Sequence, residues 1–541
     1  MIRSRVGEAI VRAQAAGELP AVAVERVEVE VPADPAHGDY ATNAAMMLAR
    51  PMRMAPSRIA QTIVRYLDLR DSSLSEATVA GPGFVNFRLG DDFKAPTLQA
   101  VLGDPEHYGA SRALAHRHVL LEFVSANPTG PLNVVSARAA AFGDTLAAVL
   151  ECAGARVVRE FYVNDAGAQV LRLGQSLRAR ILEQTGQPFV PVEQGYAGEY
   201  LVDVARAYLQ EHGVPQEGAD ADRELGSYAV AAIMAGVRQD LLTYGVRFDS
   251  FFSERELHER GAVRDLLAEL QARGETYAAD GAVWIRTSAH GDDKDRVVVR
   301  SDSTPTYLAG DLAYHRDKLR RGFTELVDVV GPDHHSHTRT MEAGMRALGA
   351  PGRLRYLVVQ HMRLVHGETA VKMSKRGGDF VPLTELVAEV GRDAARFFFL
   401  MRAHTSPLDF DLELAKREGQ ENPVFYVQYA HARIQSLLRQ ADAPQVNWSA
   451  RDLDHPEERQ LLVWLARFPE EVLWAAERME PHRLTRYAQD LAGAFHGFYT
   501  RHRIWGEAPE VTARRLALAQ ATGIVLRRCL ALLGVSAPDR M

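Results

Sequence analysis

The sequence predicts an α/β protein: a parallel-sheet core carrying a helical insertion, a small N-terminal α/β domain and an all-helical C-terminal domain. Three observations carry that prediction. Short apolar runs bounded by turns alternate with helix-period segments over the first 165 residues, apolar strand-like runs return after residue 297, and from Asp393 onward almost everything has the helical period. At 541 residues the chain has room for several domains and needs no disulfide or metal staple to hold a core.

Residues 1–110 read as the N-terminal module. It has a helix near 3–16, an alternating strand at 22–31, helices near 41–50 and 56–67, and a strand at 81–89. Residues 104–115 read as a linker. A buried strand is expected at 118–124, followed by a loop holding Asn-Pro and Thr-Gly-Pro, a long helix ending near 152–154 and a strand at 156–162. Together these make a strand–helix–strand unit.

Residues 165–300 read as mostly helical and charged, with one strand-like piece at 281–288. Strands of the first type resume at 297–300, 326–331 and 361–365. Helices are expected at 393–402, 422–439, 456–479, 481–502 and 510–533. The domain plan is therefore 1–110; a core of 111–174 and 297–392; a helical insertion, 175–296; a connecting segment, 393–421; and a helical domain, 422–541.

A net charge of −7 argues against a wholesale basic coat but leaves room for a local basic face toward nucleic acid. The two cysteines, Cys152 and Cys529, lie in apolar helix-like runs without zinc-ligand or redox-pair spacing, which suits a reducing compartment. Glu8 and Arg12 interrupt the N-terminus, and no later stretch approaches 18 uncharged apolar residues, so a cytoplasmic protein without a membrane segment is expected. Only six lysines occur, at 94, 294, 318, 372, 375 and 416, against 57 arginines. A lysine here is an informative residue.

Two of the six lie in Lys372-Met373-Ser374-Lys375-Arg376-Gly377-Gly378, a cationic, glycine-ended loop suited to polyphosphate. A solvated charge run is the bland alternative, but it leaves the choice of lysine unexplained. The segment from Glu122 to Ser136 ends a strand, turns and starts a helix, which is where α/β sheets hold ligands. Glu122 inside an apolar strand requires a cationic partner or an edge position. Tyr307 and Asp311, four apart on an expected helix, face the same way. Asp333, His334, His335 and His337 invite a metal reading, but Gly-Pro just before them favours a tight turn presenting hydrogen-bonding groups to a ligand, and no metal is assigned. A phosphate clamp beside two carboxylates points to nucleotide-dependent activation of a basic small molecule.

Seven segments then carry a resemblance: EFVSANPTGPL at 122–132, REFYVNDAGAQV at 159–170, YLAGDLAYH at 307–315, GPDHHSH at 331–337, KMSKR at 372–376, NPVFYVQYAHARI at 422–434 and LLGVSAPDRM at 532–541. In this order and spacing the chain resembles, end to end, the class I arginyl-tRNA synthetases of bacterial type. The resemblance implies a Rossmann-type catalytic core that joins L-arginine to ATP, taken with Mg2+ as a substrate complex, to give arginyl-adenylate and pyrophosphate. Transfer to the 2′-hydroxyl of tRNA(Arg) then releases AMP. It further implies a tRNA requirement for the first step, no editing domain, no tightly bound cofactor and a monomer. The N-terminal module would touch the outer corner of the tRNA, and residues 422–541 would bind the anticodon.

By the same resemblance Glu122 and Asp311 meet the substrate guanidinium and amino group, with Ser125, Asn127, Tyr307 and His334 beside them. Lys372, Met373, Ser374 and Lys375 meet ATP, and Lys375 is the likelier stabiliser of the transition state. The other class signature, usually His-x-Gly-His, reads Asn133-Val134-Val135-Ser136 here. Asn133 and Ser136 retain hydrogen-bonding capacity without imidazolium charge, Val135 stands where a glycine admits adenine, and the helix-start amides are expected to add anion stabilisation. Two alternatives are a synthetase-like tRNA-binding or regulatory protein with impaired ATP chemistry, and a metal-dependent hydrolase using the histidines.

Residues 422–541 hold 15 arginines, no lysine and 13 acidic residues, so phosphate contact needs arginines gathered on one face. Arg433, Arg501, Arg503, Arg514 and Arg515 are candidates. Trp505, Tyr426 and Tyr429 are candidates for stacking on bases, with helix packing as the alternative for each.

Overall fold

The computed structural model describes residues 2–24, 27–30, 32, 34–70, 72–367, 369–370, 381–440 and 442–541. In chain order the N-terminal part runs α1 (Ile2–Ala15), β1 (Tyr40–Thr42), α2 (Ala44–Met52), α3 (Pro56–Tyr66), β2 (Leu74–Ala80), β3 (Phe84–Leu89) and α4 (Lys94–Gly103). The central part runs β4 (His118–Glu122), α5 (Val134–Cys152), β5 (Arg156–Val163), α6 (Ala168–Gln184), α7 (Tyr200–His212), α8 (Ala219–Thr243), β6 (Ser250–Ser253), α9 (Glu254–Glu259) and α10 (Ala262–Ala272). It continues through β7 (Thr276–Ala279), β8 (Ala282–Ile285), β9 (Arg296–Val299), α11 (Tyr307–Arg320), β10 (Glu325–Val330), α12 (His335–Ala347), β11 (Leu354–Val358), β12 (Met362–His366) and β13 (Thr369–Ala370). The last part holds α13 (Leu383–Val390), α14 (Arg392–Leu400), β14 (Leu408–Asp411), α15 (Leu412–Lys416), α16 (Pro423–Leu438), α17 (Pro456–Arg478), α18 (His482–Arg501) and α19 (Pro509–Leu532).

The chain falls into two compact units. One comprises Met1–Tyr108, Leu437–Arg467 and Gly493–Val525; the other comprises Gly109–Ser436, Phe468–Ala492 and Leu526–Met541. In the first, β3 pairs antiparallel with both β1 and β2. Its Lys94 is 1% exposed and reaches Asp454 Oδ1 at 2.6 Å and Asp91 Oδ1 at 3.1 Å. An ammonium this deep is tolerated because carboxylates replace its water.

The core of the second unit is a five-stranded sheet, order β11-β10-β4-β5-β6, parallel throughout. Val119, Leu120 and Leu121 of β4 are fully buried, as the central strand of a sheet covered on both faces requires. Helix α5 lies close on β4, because a Cβ at Gly143 would stand 2.3 Å from the Phe123 ring. The chain builds outward from β4 to β5 and β6, then returns to the other side of β4 for β10 and β11. The strand order therefore reverses between β4 and β10, and ligands of open α/β sheets bind at the carboxyl ends of such a pair.

Four expectations are corrected. The strand at 22–31 reduces, among the described residues, to a bridge between Glu30 and Ala41, because one-sided apolar alternation also suits an irregular extended segment. The stretch 165–300 is not free of core strands: β6 forms the edge of the parallel sheet. The strand at 297–300 joins the small antiparallel sheet β7-β8-β9 instead, and the one at 361–365 pairs with β14 and β13 rather than with the core. β11, the other edge, was not expected at all. The expected C-terminal helices correspond to α14 and α16 through α19 within two residues at each end.

Candidate active site

Asp328 of β10 is in register with Glu122 of β4, and Glu122 with Glu160 of β5, so three acids stand at one level on adjacent strands. Three carboxylates so placed repel unless cations lie between them. Helix α11 and the residue after it supply the cations. Lys318 Nζ, in a side chain with no exposure, donates to Glu122 Oε2 at 2.7 Å and Asp328 Oδ1 at 2.9 Å, and lies 4.2 Å from the Tyr314 ring centre. Arg321 grips Glu160 with two hydrogen bonds of 2.6 and 2.8 Å, and the Tyr314 hydroxyl adds a third at 2.7 Å. His315 sets Nε2 2.7 Å from Asp328 Oδ2 and Nδ1 2.7 Å from the Asp311 carbonyl oxygen.

Burial opposes charge on all of these groups, and the outcomes differ. For Asp328 the burial penalty is outweighed by Lys318 and His315, which hold its carboxyl well below the usual range. For Glu122 burial wins over the attraction of Lys318, and its carboxyl is pushed up. Lys318 stays charged, because Asp328 and Glu122 outweigh its own burial.

Beyond Glu122 the backbone turns through two left-handed residues, Val124 (φ 68°) and Ser125 (φ 36°). That conformation is costly for a β-branched valine. It lets Ser125 Oγ donate to Glu122 Oε1 at 2.9 Å and accept from the Tyr162 N–H at 3.0 Å, joining the ends of β4 and β5. Glu122 thus has the cationic partner its position demanded, and that partner is Lys318.

Asp311, on the first turns of α11, accepts from His337 Nε2 at 2.8 Å. His337 is therefore the histidine of the GPDHHSH segment seen at the site; the side chain of His334 lies outside the described residues. Tyr307, one turn before Asp311, is 75% exposed, so its ring is open to a ligand. Asn127 is exposed, with its Oδ1 3.5 Å from Asn164 Nδ2. Burial raises the Tyr162 hydroxyl far above its ordinary value, and the carboxylates of Glu254, Asp311 and Glu122 add to the shift. Three acids from three elements therefore act on one tyrosine. Glu254, at the end of β6, was missed because a four-residue strand in a charged stretch gives no apolar signal; its own carboxyl is pushed up by burial.

At the start of α5, Asn133 Oδ1 accepts the N–H groups of Val135 at 3.0 Å and Ser136 at 3.1 Å. The Val134 N–H goes to the Val381 carbonyl at 3.2 Å. The expectation that helix-start amides stand ready for an anion is corrected: the Asn133 cap has taken two of them. Val135 is 45% exposed. Asn133 bridges Pro382, and the Leu383 N–H donates to the Leu132 carbonyl at 2.9 Å, so residues 132–134 are tied to 381–383. Lys372, Met373, Ser374 and Lys375 lie outside the described residues.

Of the tRNA candidates, Arg501 is exposed and donates to Glu457 at 2.5 Å, Arg503 is exposed, and Trp505 Nε1 donates to the Leu437 carbonyl at 3.3 Å. These three belong to the first unit. Arg433, in the second, lies 4.6 Å over the Tyr429 ring and donates to its hydroxyl at 2.7 Å. Arg515 is corrected: it is buried against Glu458 at 2.7 Å, an ion pair of the helical core. No helix among the described residues is long and apolar enough to cross a membrane.

Three family descriptions match successive stretches of the chain. They are the arginyl tRNA synthetase N terminal domain over residues 1–89, the class I (R) tRNA synthetase catalytic domain over 97–402 and the DALR anticodon binding domain over 427–541. The chain is 45% identical over 535 residues to the arginine–tRNA ligase of Desulforamulus reducens, covering 97% of this chain and 95% of that one. It is 44% identical over 544 residues to that of Moorella thermoacetica, covering 99% and 97%. Its fold matches the Thermus thermophilus arginyl-tRNA synthetase with a TM-score of 0.81 at 24% identity, over 100% of both chains.

Proposed function

The chain belongs to the arginyl-tRNA synthetase family and is an arginine–tRNA ligase; from that premise we propose how its own residues divide the work. The observation that carries the reading is the placement of Glu122 at the end of β4, Glu254 directly after β6 and Asp311 on the first turns of α11, with Ser125 joining Glu122 to the Tyr162 main chain of β5. A cluster of acids there suits a substrate with two cationic ends, a guanidinium and an α-ammonium. Paired hydrogen bonds from a guanidinium to carboxylates reward all its donors, and an analogue lacking one leaves a buried acceptor unpaired. We assign the substrate to Glu122, Asp311 and Glu254, flanked by Ser125, Asn127, Tyr307 and His334.

ATP, with Mg2+ as its substrate complex, lies toward the start of α5, where the Asn133 amide nitrogen and the Ser136 hydroxyl remain as donors and Val135 meets the base. A carboxylate oxygen of arginine attacks the α-phosphorus, the bond to the bridging oxygen breaks, and pyrophosphate leaves. Lys372 and Lys375 neutralise charge growing on the phosphates, a part that ammonium groups play well. The tRNA 2′-hydroxyl then attacks the arginyl carbonyl, and AMP departs. The module 1–110 serves the outer corner of tRNA(Arg), and residues 422–541, with Arg433, Arg501, Arg503 and Trp505, serve its anticodon end. A monomer in the cytoplasm suits this reading. The relatives that match over the whole chain are ligases, so a tRNA-binding protein without ATP chemistry has no support.

The test is arginine-dependent ATP–pyrophosphate exchange with and without tRNA(Arg). Exchange is expected with tRNA present, reduced about 100-fold or more in Lys375→Ala with tRNA affinity unchanged. Equal losses in exchange and tRNA affinity would make the loop structural instead.

A further inference from the structure

Among the lysines of the described residues, Lys318 is the one whose ammonium touches an acid assigned to the substrate. It has no solvent exposure, and it divides itself between Glu122 Oε2 and Asp328 Oδ1 at 2.7 and 2.9 Å. Asp328 is in turn held from its other oxygen by His315, whose far nitrogen is fixed on the Asp311 main chain. A continuous chain of hydrogen bonds thus runs from the backbone of Asp311 through His315, Asp328 and Lys318 to the Glu122 carboxylate.

We infer that Lys318 is a positioning residue for arginine: it fixes the Glu122 carboxylate from behind and leaves its remaining lone pairs directed to the substrate's cationic group. The inference rests on the assignment of Glu122 to the substrate. A lysine suits the place better than the arginine this chain otherwise prefers. A compact ammonium fits between two carboxylates one strand apart and donates to each, whereas a planar fork would engage one of them bidentately, as Arg321 does with Glu160. The arrangement also orders the three acids. Glu160 accepts three bonds, from Arg321 and Tyr314, in a side chain with no exposure, and Asp328, with bonds from Lys318 and His315, keeps 6% exposure against 15% for Glu122. Glu122, with one bond from Lys318 and one from Ser125, is the member left able to take another cation.

The groups facing Glu122 are Lys318, His315 and Tyr314 from α11, Asp328 from β10, Tyr356 from β11, Glu160 with its partner Arg321, Tyr162 from β5 and Ser125 from its own loop. Lys318 is the cation that bonds to it. Removing that charge makes Glu122 harder to ionise, so the acid limb of the pH profile of kcat/KM for arginine moves to higher pH. A merely structural lysine would not produce that shift.

The experiment compares Glu122→Gln, Lys318→Met and the double variant Lys318→Met with Asp328→Asn, which removes Lys318 together with the Asp328 charge and serves if the single variant does not fold. Steady-state aminoacylation gives KM for arginine and for ATP, and the arginine profile is followed from pH 5.5 to about 8.5, the span over which carboxylates with raised values titrate. The expected result is an arginine KM raised about tenfold or more in the folded lysine variant, an ATP KM within about twofold of the original, and an acid limb moved upward. If Glu122→Gln raises the arginine KM while the folded lysine variant leaves KM and acid limb unmoved, Lys318 is structural and the inference is overturned. If Glu122→Gln leaves the arginine KM unchanged, the Glu122 assignment itself fails, and the inference falls with it.

Discussion

Asn133 and Ser136 are joined within the first turn of α5, the asparagine Oδ1 accepting the serine N–H at 3.1 Å as well as that of Val135 at 3.0 Å. The altered class signature is therefore a helix cap, and its side-chain oxygen is spent. Cap and nucleotide roles separate in two variants. Asn133→Ala should lower stability to urea by about 1 kcal/mol. Asn133→Asp keeps the acceptor, and so the stability, but trades an amide donor for a negative charge and should raise the KM for ATP. Equal effects of both variants on both quantities would contradict this division.

Arg138, 2% exposed, is bonded to no carboxylate among the described residues. Its guanidinium donates to the carbonyls of Gln360 at 2.7 Å, Ser406 at 2.9 Å and Ala403 at 3.1 Å, and burial lowers its pKa to about 10. It ties α5 to the segments leading into β12 and β14. Arg138→Met leaves those carbonyls without their donors and should cost about 2–4 kcal/mol, read as a lowered melting temperature. A melting temperature within a degree of the original would show that other donors replace it.

His404 packs 4.9 Å from the Phe142 ring, and its Nδ1 has no hydrogen-bond partner among the described residues. Burial, then the charges of His482, Arg138 and Arg355, push its pKa down from 6.5 to about 4. Between those values the unfolded chain binds a proton that the folded ring refuses. The contribution to stability is therefore complete above pH 6.5 and is lost as pH falls toward 4. Melting temperatures of the natural chain and of His404→Leu, compared at pH 7 and pH 4.5, should show the larger acid loss in the natural chain.

Much of this architecture was legible from periodicity. The run around Val119–Leu121 and the helix after it read correctly because a strand buried on both faces is continuously apolar and Asn-Pro with Thr-Gly-Pro marks the turn between them. β6 did not read correctly, being four residues in a charged helical stretch, and β11 gave no distinct signal. At the site, Glu122 was conspicuous as an acid in an apolar strand. Its alignment with Glu160 and Asp328 was not visible, because register between distant strands is set by the folded sheet. The rarity of lysine pointed to Lys372 and Lys375 and applied equally to Lys318, whose significance emerges only once α11 is laid on the sheet. Arg515 shows the opposite failure: composition cannot tell an arginine on a surface from one paired inside a helical domain.

Asp311 bears most directly on the central claim, that arginine lies among the acids at the carboxyl ends of β4, β5 and β6. The decisive measurement is the KM for arginine, beside that for ATP, in Asp311→Asn. A rise of about tenfold or more in the arginine value, with the ATP value unchanged and weaker rejection of analogues lacking one guanidinium donor, is predicted. An arginine KM equal to that of the natural chain would contradict the placement of the substrate.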